Sequence, residues 1–245
     1  MCQSELSHPN HDDPSQIPAH ILAANKRWAC RMNQTCPEYF PDPEAKQRPK
    51  ILWLGCSDSR VLESDATVAK PGDVFVHRNI ANQFQLNDDN ALSVVAYALR
   101  ALSVQHIIVV GHTNCGGVLT AMERARSPRG ALGNHLKIVD SLYYETNDPI
   151  GNSDEANGEG AVDPDSALQR WLTPLVDRLR GLPPPLELEH ATEENVKLQV
   201  ENLASLRGFV QTSAAKKPVW IHGWVYDFAT GFIKNLHITR QLGAE

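Results

Sequence analysis

The sequence predicts an α/β fold: a mainly parallel central sheet flanked by helices, with an antiparallel edge at the C-terminus and an N-terminal helix that either folds back on its own core or lies across a neighbouring subunit. Three observations carry this. Ile51-Leu52-Trp53-Leu54 and His106 to Val110 are short apolar runs, each followed by a glycine, as buried parallel strands are. Between them, Asp88-Asp89-Asn90 can cap a helix with Leu92, Val95, Ala96, Leu99 and Leu102 on its inner side. Strand, helix, strand at this rhythm implies parallel pairing through a helical crossover. Near the C-terminus, Pro218 to Asp227 and Phe232 to Ile238 flank a turn at Ala229-Thr230-Gly231, which reads as a strand pair.

Taken in order, residues 1–14 read as a polar, disordered arm of a single domain spanning 1–245. Residues 15–46 form an N-terminal helix and a Pro-rich connector. Ser15 is its expected cap, and Ile17, Ile21, Ala24, Trp28 and Met32 share one face. A turn at Pro71-Gly72-Asp73 precedes a second strand, Val74 to His77. Gly116-Gly117 opens a helix through Leu119 and Met122. Residues 145–165 hold seven acidic side chains and no lysine or arginine, which reads as a solvated surface loop. A helix from Pro164 to Leu179 follows, with a break expected at Pro174, and then one from Thr192 to Gly208. Thr192 opens it with a partial capping box, Asn195 standing where Glu or Gln is usual.

A chain of 245 residues can bury one sizeable core. Its net charge of -6 argues against nucleic acid or an anionic membrane as partner. No apolar run approaches the roughly 20 residues of a membrane helix. The polar N-terminus resembles neither a secretory signal nor a mitochondrial presequence. Five cysteines, Cys2, Cys30, Cys36, Cys56 and Cys115, form no dense framework, which fits a reducing compartment. The expected location is cytoplasmic.

The chemistry concentrates at two strand ends. Gly55-Cys56-Ser57-Asp58-Ser59-Arg60 presents a thiol, a carboxylate and a guanidinium; Gly111-His112-Thr113-Asn114-Cys115-Gly116-Gly117 presents an imidazole and a second thiol. Ligands gather at the carboxyl ends of parallel strands. Two thiolates and an imidazole suit zinc, and three protein ligands leave a fourth position open, as in catalytic sites. Asp58 can orient a water there or occupy the position itself, and Arg60 can hold Asp58 in a bidentate pair.

Cys-Ser-Asp-Ser-Arg followed by His-Thr-Asn-Cys-Gly-Gly closely resembles the β-class carbonic anhydrases. The resemblance runs from about Gln47 to Gly117 and resumes at His222 to Asp227. It implies one zinc per chain on Cys56, His112 and Cys115, CO2 and bicarbonate as substrates, and assembly as a homodimer or dimer-built tetramer through the N-terminal helix. Zinc lowers the pKa of bound water to about 7, and two thiolates weaken that effect, so activity favouring alkaline pH is expected. The matched positions imply that Gln47 and Gly116 meet substrate and that Phe75, Ile80 and Tyr97 line a CO2 cleft. Trp53, Arg78 and Tyr226 match a noncatalytic bicarbonate site found in some members, where Asp58's counterpart closes onto zinc. Glu63 falls one position earlier than in the bacterial pattern of that closed form. His77 is a proton-shuttle candidate; His106 and His222 read as structural.

Two rival functions use the same residues: hydrolysis of CS2 or carbonyl sulfide at this zinc site, and a non-catalytic zinc-stabilised binding module. The chain lacks the C-x-x-C spacings of most closed structural sites. It also lacks a G-x-G-x-x-G after any strand, which argues against dinucleotide binding.

Overall fold

The computed structural model describes residues 14–127, 164–206 and 218–242. The expected N-terminal arm, apart from Pro14, and nearly all of the acidic 145–165 segment lie outside these. The chain divides into two compact units, Met1–Gln47 with Lys70–Gly72, and Arg48–Ala69 with Asp73–Glu245.

The first unit carries α1, Ile17–Thr35. Ser15 is not its cap: it lies in a 3-10 turn, Pro14–Gln16, and Gln16 precedes the helix without a side-chain hydrogen bond to it. Pro18 needs no backbone donor in the first turn, so the start is set by proline rather than by serine. The rings of Trp28, Tyr39 and Phe40 meet edge to face at centroid separations of 5.4–5.8 Å. No residue of α1 is buried, and Ile21 and Leu22 are 54% and 70% exposed.

The second unit is built on five strands: β1 Ile51–Cys56, β2 Val74–Asn79, β3 His106–His112, β4 Trp220–Tyr226 and β5 Ile233–Gln241. Their order is β2-β1-β3-β4-β5, parallel except for the β4–β5 pair. The helices are α2 Glu63–Thr67, α3 Asp89–Arg100, α4 Gly116–Arg126, α5 Pro164–Arg180 and α6 Leu188–Ala204. Asp88 caps α3 through Asn90 N–H as its sequence position predicts. The α2 turn was not anticipated; it lays Ala66 beside Trp53, Val61, Ile108 and Val110 on one sheet face.

Two helix expectations are corrected. Helix α5 passes through Pro174 without a break. Leu172, Leu175, Val176 and Leu179 are all buried, and this packing outweighs the one intrahelical bond a proline removes. Helix α6 starts at Leu188, not Thr192, whose hydroxyl donates back to the Leu188 carbonyl. Asn195 therefore sits in mid-helix, fully buried.

The opposite sheet face packs on α3 and α6 through Leu52, Leu54, Val95, Leu99, Ile107, Val109, Val196 and Val200. Glycines set how close α6 comes. A Cβ at Gly111 would lie 2.8 Å from Val196 Cγ2, and one at Gly223 would lie 2.9 Å from Val196 Cγ1. A third cluster joins Cys56, Ala81, Cys115, Val118 and Ala121 to the inner side of α5.

Candidate metal centre

Strand β1 ends on Cys56, and strand β3, its parallel neighbour, ends on His112. Three residues later Cys115 precedes α4. The two sulfurs lie 3.9 Å apart. Both sulfurs and a ring nitrogen of His112 lie within 4.8 Å of one another, all on buried residues, the only such cluster of three donors among the described residues.

The donor set fits zinc on two observations. His112 Nδ1 donates to the Thr113 carbonyl at 2.9 Å, so Nε2 carries the free lone pair. That Nε2 is buried without a hydrogen-bond partner, in a residue 0% exposed, which is costly unless something else takes its lone pair. The thiols supply the charge a cation needs. Cys115 donates to Cys56 and pushes the Cys56 thiol well below its ordinary range, while the same contact and burial push Cys115 up. The N–H groups of Gly117 and Val118 at the start of α4 favour charge on Cys115. One thiolate is therefore ready, and a divalent cation would draw the proton from the second.

Asp58 and Arg60 form the bidentate pair their spacing predicts. Arg60 Nε and Nη2 donate to the two carboxylate oxygens at 2.9 and 2.7 Å, and the Arg60 amide adds a bond of 3.0 Å. The Arg60 side chain, first of all, holds the Asp58 carboxyl down to about 2. Asp58 Oδ2 lies 3.9 Å from His112 Nε2, so the pinned carboxylate overlooks the ligand cluster. Sequence reasoning missed Phe228. Its ring lies 4.2 Å from the Arg60 guanidinium carbon and 6.1 Å from the His112 ring. The only signal was its place after Tyr226-Asp227. Asp227 accepts from the Thr113 hydroxyl at 3.2 Å, which ties that loop to the end of β3.

Other expected residues fall into separate places. Gly116 begins α4 beside Cys115, and Ile80 lies in the turn that packs on Gly117. Phe75 and Tyr97 stack on each other at 5.9 Å, but Phe75 is paired with Leu52, four residues before Cys56 on β1. Gln47 is exposed in the N-terminal unit. Trp53 and Tyr226 share one apolar cluster, Trp53 almost fully buried. Arg78 donates to the carbonyls of Cys56 and Asp58 at 2.8 and 2.6 Å, and lies 3.8 Å from Glu63. His77 is hydrogen-bonded to Asn79, and burial lowers its pKa. His106 and His222 bond to each other at 3.1 Å.

Residues 51–233 match the carbonic anhydrase protein family. A carbonic anhydrase of Emericella nidulans is 31% identical over 220 residues, covering 89% of this chain and 82% of that protein. Among solved structures, a tetrameric β-carbonic anhydrase of Sordaria macrospora superposes with a TM-score of 0.64 at 29% identity, covering 91% of this chain and 98% of the other. The Coccomyxa β-carbonic anhydrase in complex with acetazolamide gives 0.65 at 27% identity, covering 90% and 86%.

Proposed function

The chain belongs to the β-class carbonic anhydrases, and from that membership we propose that it catalyses the reversible hydration of CO2 to bicarbonate and a proton at the Cys56–His112–Cys115 zinc centre. The observation that carries this is the orphaned Nε2 of His112 facing two cysteine sulfurs, with a pinned carboxylate 3.9 Å away. Zinc, when bound, makes water nucleophilic near neutral pH. The protein does the rest. Asp58, kept ionised by Arg60, accepts a hydrogen bond from the attacking water and so orients its lone pair. Arg60 in turn keeps that carboxylate from becoming a ligand. Ala81 and Val118, packed with both cysteines, offer CO2 an apolar wall and no competing hydrogen bonds.

The expected assembly is a dimer or a dimer-built tetramer. Among the described residues, none on helix α1 is buried, and the Phe75–Tyr97 stack lies four strand positions from Cys56, with Tyr97 exposed. A second copy can cover the helix and bring Gln47, Phe75 and Tyr97 to a neighbour's cleft. One experiment tests function and assembly together: zinc content, stopped-flow CO2 hydration and light-scattering mass on the same preparation. One zinc per chain, hydration that rises with pH and an even-numbered oligomer are expected. Hydrolysis of CS2 without CO2 hydration overturns the activity, and a fully active monomer overturns the shared cleft.

We propose further that bicarbonate regulates the site through Arg78. Its guanidinium holds the carbonyls of Cys56 and Asp58, so an anion that draws Arg78 toward Trp53 and Tyr226 loosens the segment carrying Asp58. That anion shifts the population by its preference for the state with Asp58 on zinc. Bicarbonate inhibition is then cooperative and strongest at lower pH, and Tyr226→Phe weakens it with zinc content unchanged. Inhibition curves for the two proteins at two pH values decide; simple competition in both overturns the switch.

A further inference from the structure

The turn Ile80–Phe84 holds an unusual backbone. Ala81 has φ 59° and Asn82 φ 45°, two successive non-glycine residues in the left-handed region. Such residues persist only where their surroundings over-determine them. Here the holding groups come from three elements. The Ala81 carbonyl accepts from Asn195 Nδ2 at 2.9 Å and from Gln83 Nε2 at 2.8 Å. Trp171 of α5 donates to the Ile80 carbonyl at 2.9 Å. Gln199 Oε1 accepts from Phe84 N–H at 2.8 Å, and Asn202 Nδ2 donates to the Phe84 carbonyl at 2.9 Å. Asn79, at the end of β2, bonds both Gln83 N–H and its carbonyl at 2.7 Å.

The amides also bond one another. Asn195 Oδ1 accepts from Gln83 Nε2 at 2.6 Å and from Gln199 Nε2 at 3.0 Å. Asn195 is 0% exposed, Gln199 1% and Gln83 2%. Buried amides on a mid-helix face are unfavourable unless satisfied, and these are satisfied largely by the turn and by each other.

What the turn touches gives the network a purpose. Ala81 packs in one cluster with Cys56, Cys115 and Val118. At Gly117, the second residue after Cys115, a Cβ would lie 2.9 Å from Ala81 Cβ and 3.1 Å from Ile80 Cγ2. The turn is thus in van der Waals contact with the first turn of α4, between the buried amides and the sulfurs. We propose that Asn195 and Gln199 are positioning residues for CO2: through the Ala81 carbonyl and the Phe84 amide they set where Ile80 and Ala81 stand against α4, and so the shape of the apolar wall. A small substrate with no polar handle is located by wall shape, which makes it sensitive to such a displacement.

The proposal rests on the carbonic anhydrase reading, and the two fail differently. An unmodified chain inactive on CO2 overturns that reading. For this one, Asn195→Ala, Gly117→Ala and a control, Val200→Ala, are compared. Val200 lies on the same helix, in the main core cluster that also holds Phe84, and its side chain makes none of the hydrogen bonds that hold the turn. Asn195→Ala loosens the turn from behind and Gly117→Ala pushes it from the front. Both are expected to keep zinc and to raise KM for CO2 roughly ten-fold with a smaller change in kcat. Amide hydrogen exchange at Asn82 to Phe84 should accelerate in Asn195→Ala. Val200→Ala should lower Tm with KM and those exchange rates unchanged. An Asn195→Ala enzyme that matches Val200→Ala in KM and exchange overturns the proposal, and if it does not fold, Gly117→Ala with unchanged KM does so.

Discussion

Replacing Cys115 with serine is expected to leave a chain with neither zinc nor CO2 hydration, the rate falling by at least about 10³-fold. The Cys56 contact and burial push the Cys115 thiol up, and the Gly117 and Val118 N–H groups at the start of α4 partly oppose them, so its charge as a ligand is one a cation must draw out. A serine hydroxyl does not ionise near neutral pH and is a poor partner for zinc beside a thiolate. Metal analysis and stopped-flow hydration on the same sample check this. Stoichiometric zinc in Cys115→Ser would contradict the assignment.

Arg60→Ala is expected to do the opposite to the metal, keeping zinc while activity falls by roughly 10²–10³-fold. Three hydrogen bonds from Arg60 hold Asp58 as it stands, two of them from the guanidinium. Without those two the carboxylate is free to turn toward the cation, and carboxylate oxygen is an acceptable zinc ligand. A pH series separates this from simple unfolding. In the unaltered protein the Asp58 pKa is depressed to about 2, so it stays ionised across the working range. Its contribution to stability is full above the ordinary carboxylate value of 3.8 and fades as pH falls toward about 2. In Arg60→Ala the guanidinium's share of that stabilisation is lost. X-ray absorption at the zinc edge reads the ligand set. A variant with normal turnover, or with no zinc, contradicts the gate.

Much of the centre was legible in the sequence because its parts are local. Asp58 and Arg60 are two residues apart at the end of a strand, where a bidentate pair needs only one turn of backbone. Cys56, His112 and Cys115 each follow a glycine-bearing apolar strand, and parallel pairing puts the ends of β1 and β3 side by side. The missed residues depend on distant sequence. Phe228 reaches Arg60 only because β4 pairs with β3. Asn195 looked like an imperfect cap because Thr-Glu-Glu-Asn resembles a helix start, whereas its partner, the Ala81 carbonyl, is 114 residues away. Pro174 looked like a break because buried leucines on both sides carry no local signal strong enough to outweigh it.

The linear order of these parts matters while the chain is being made. All three zinc ligands lie between residues 56 and 115, at the end of β1, at the end of β3 and just before α4. The elements that enclose them come later: α5 with Trp171, α6 with Asn195 and Gln199, and then β4 with the Phe228 loop. On a nascent chain, both thiols and the imidazole emerge from the ribosome before any of these partners has been synthesised. At about 5–20 residues per second, that interval lasts several seconds. Throughout it, the sulfurs face zinc and oxidants alike, and a thiol that reaches sulfinic acid before metal arrives does not return. Early zinc loading therefore protects the cysteines as well as arming the site.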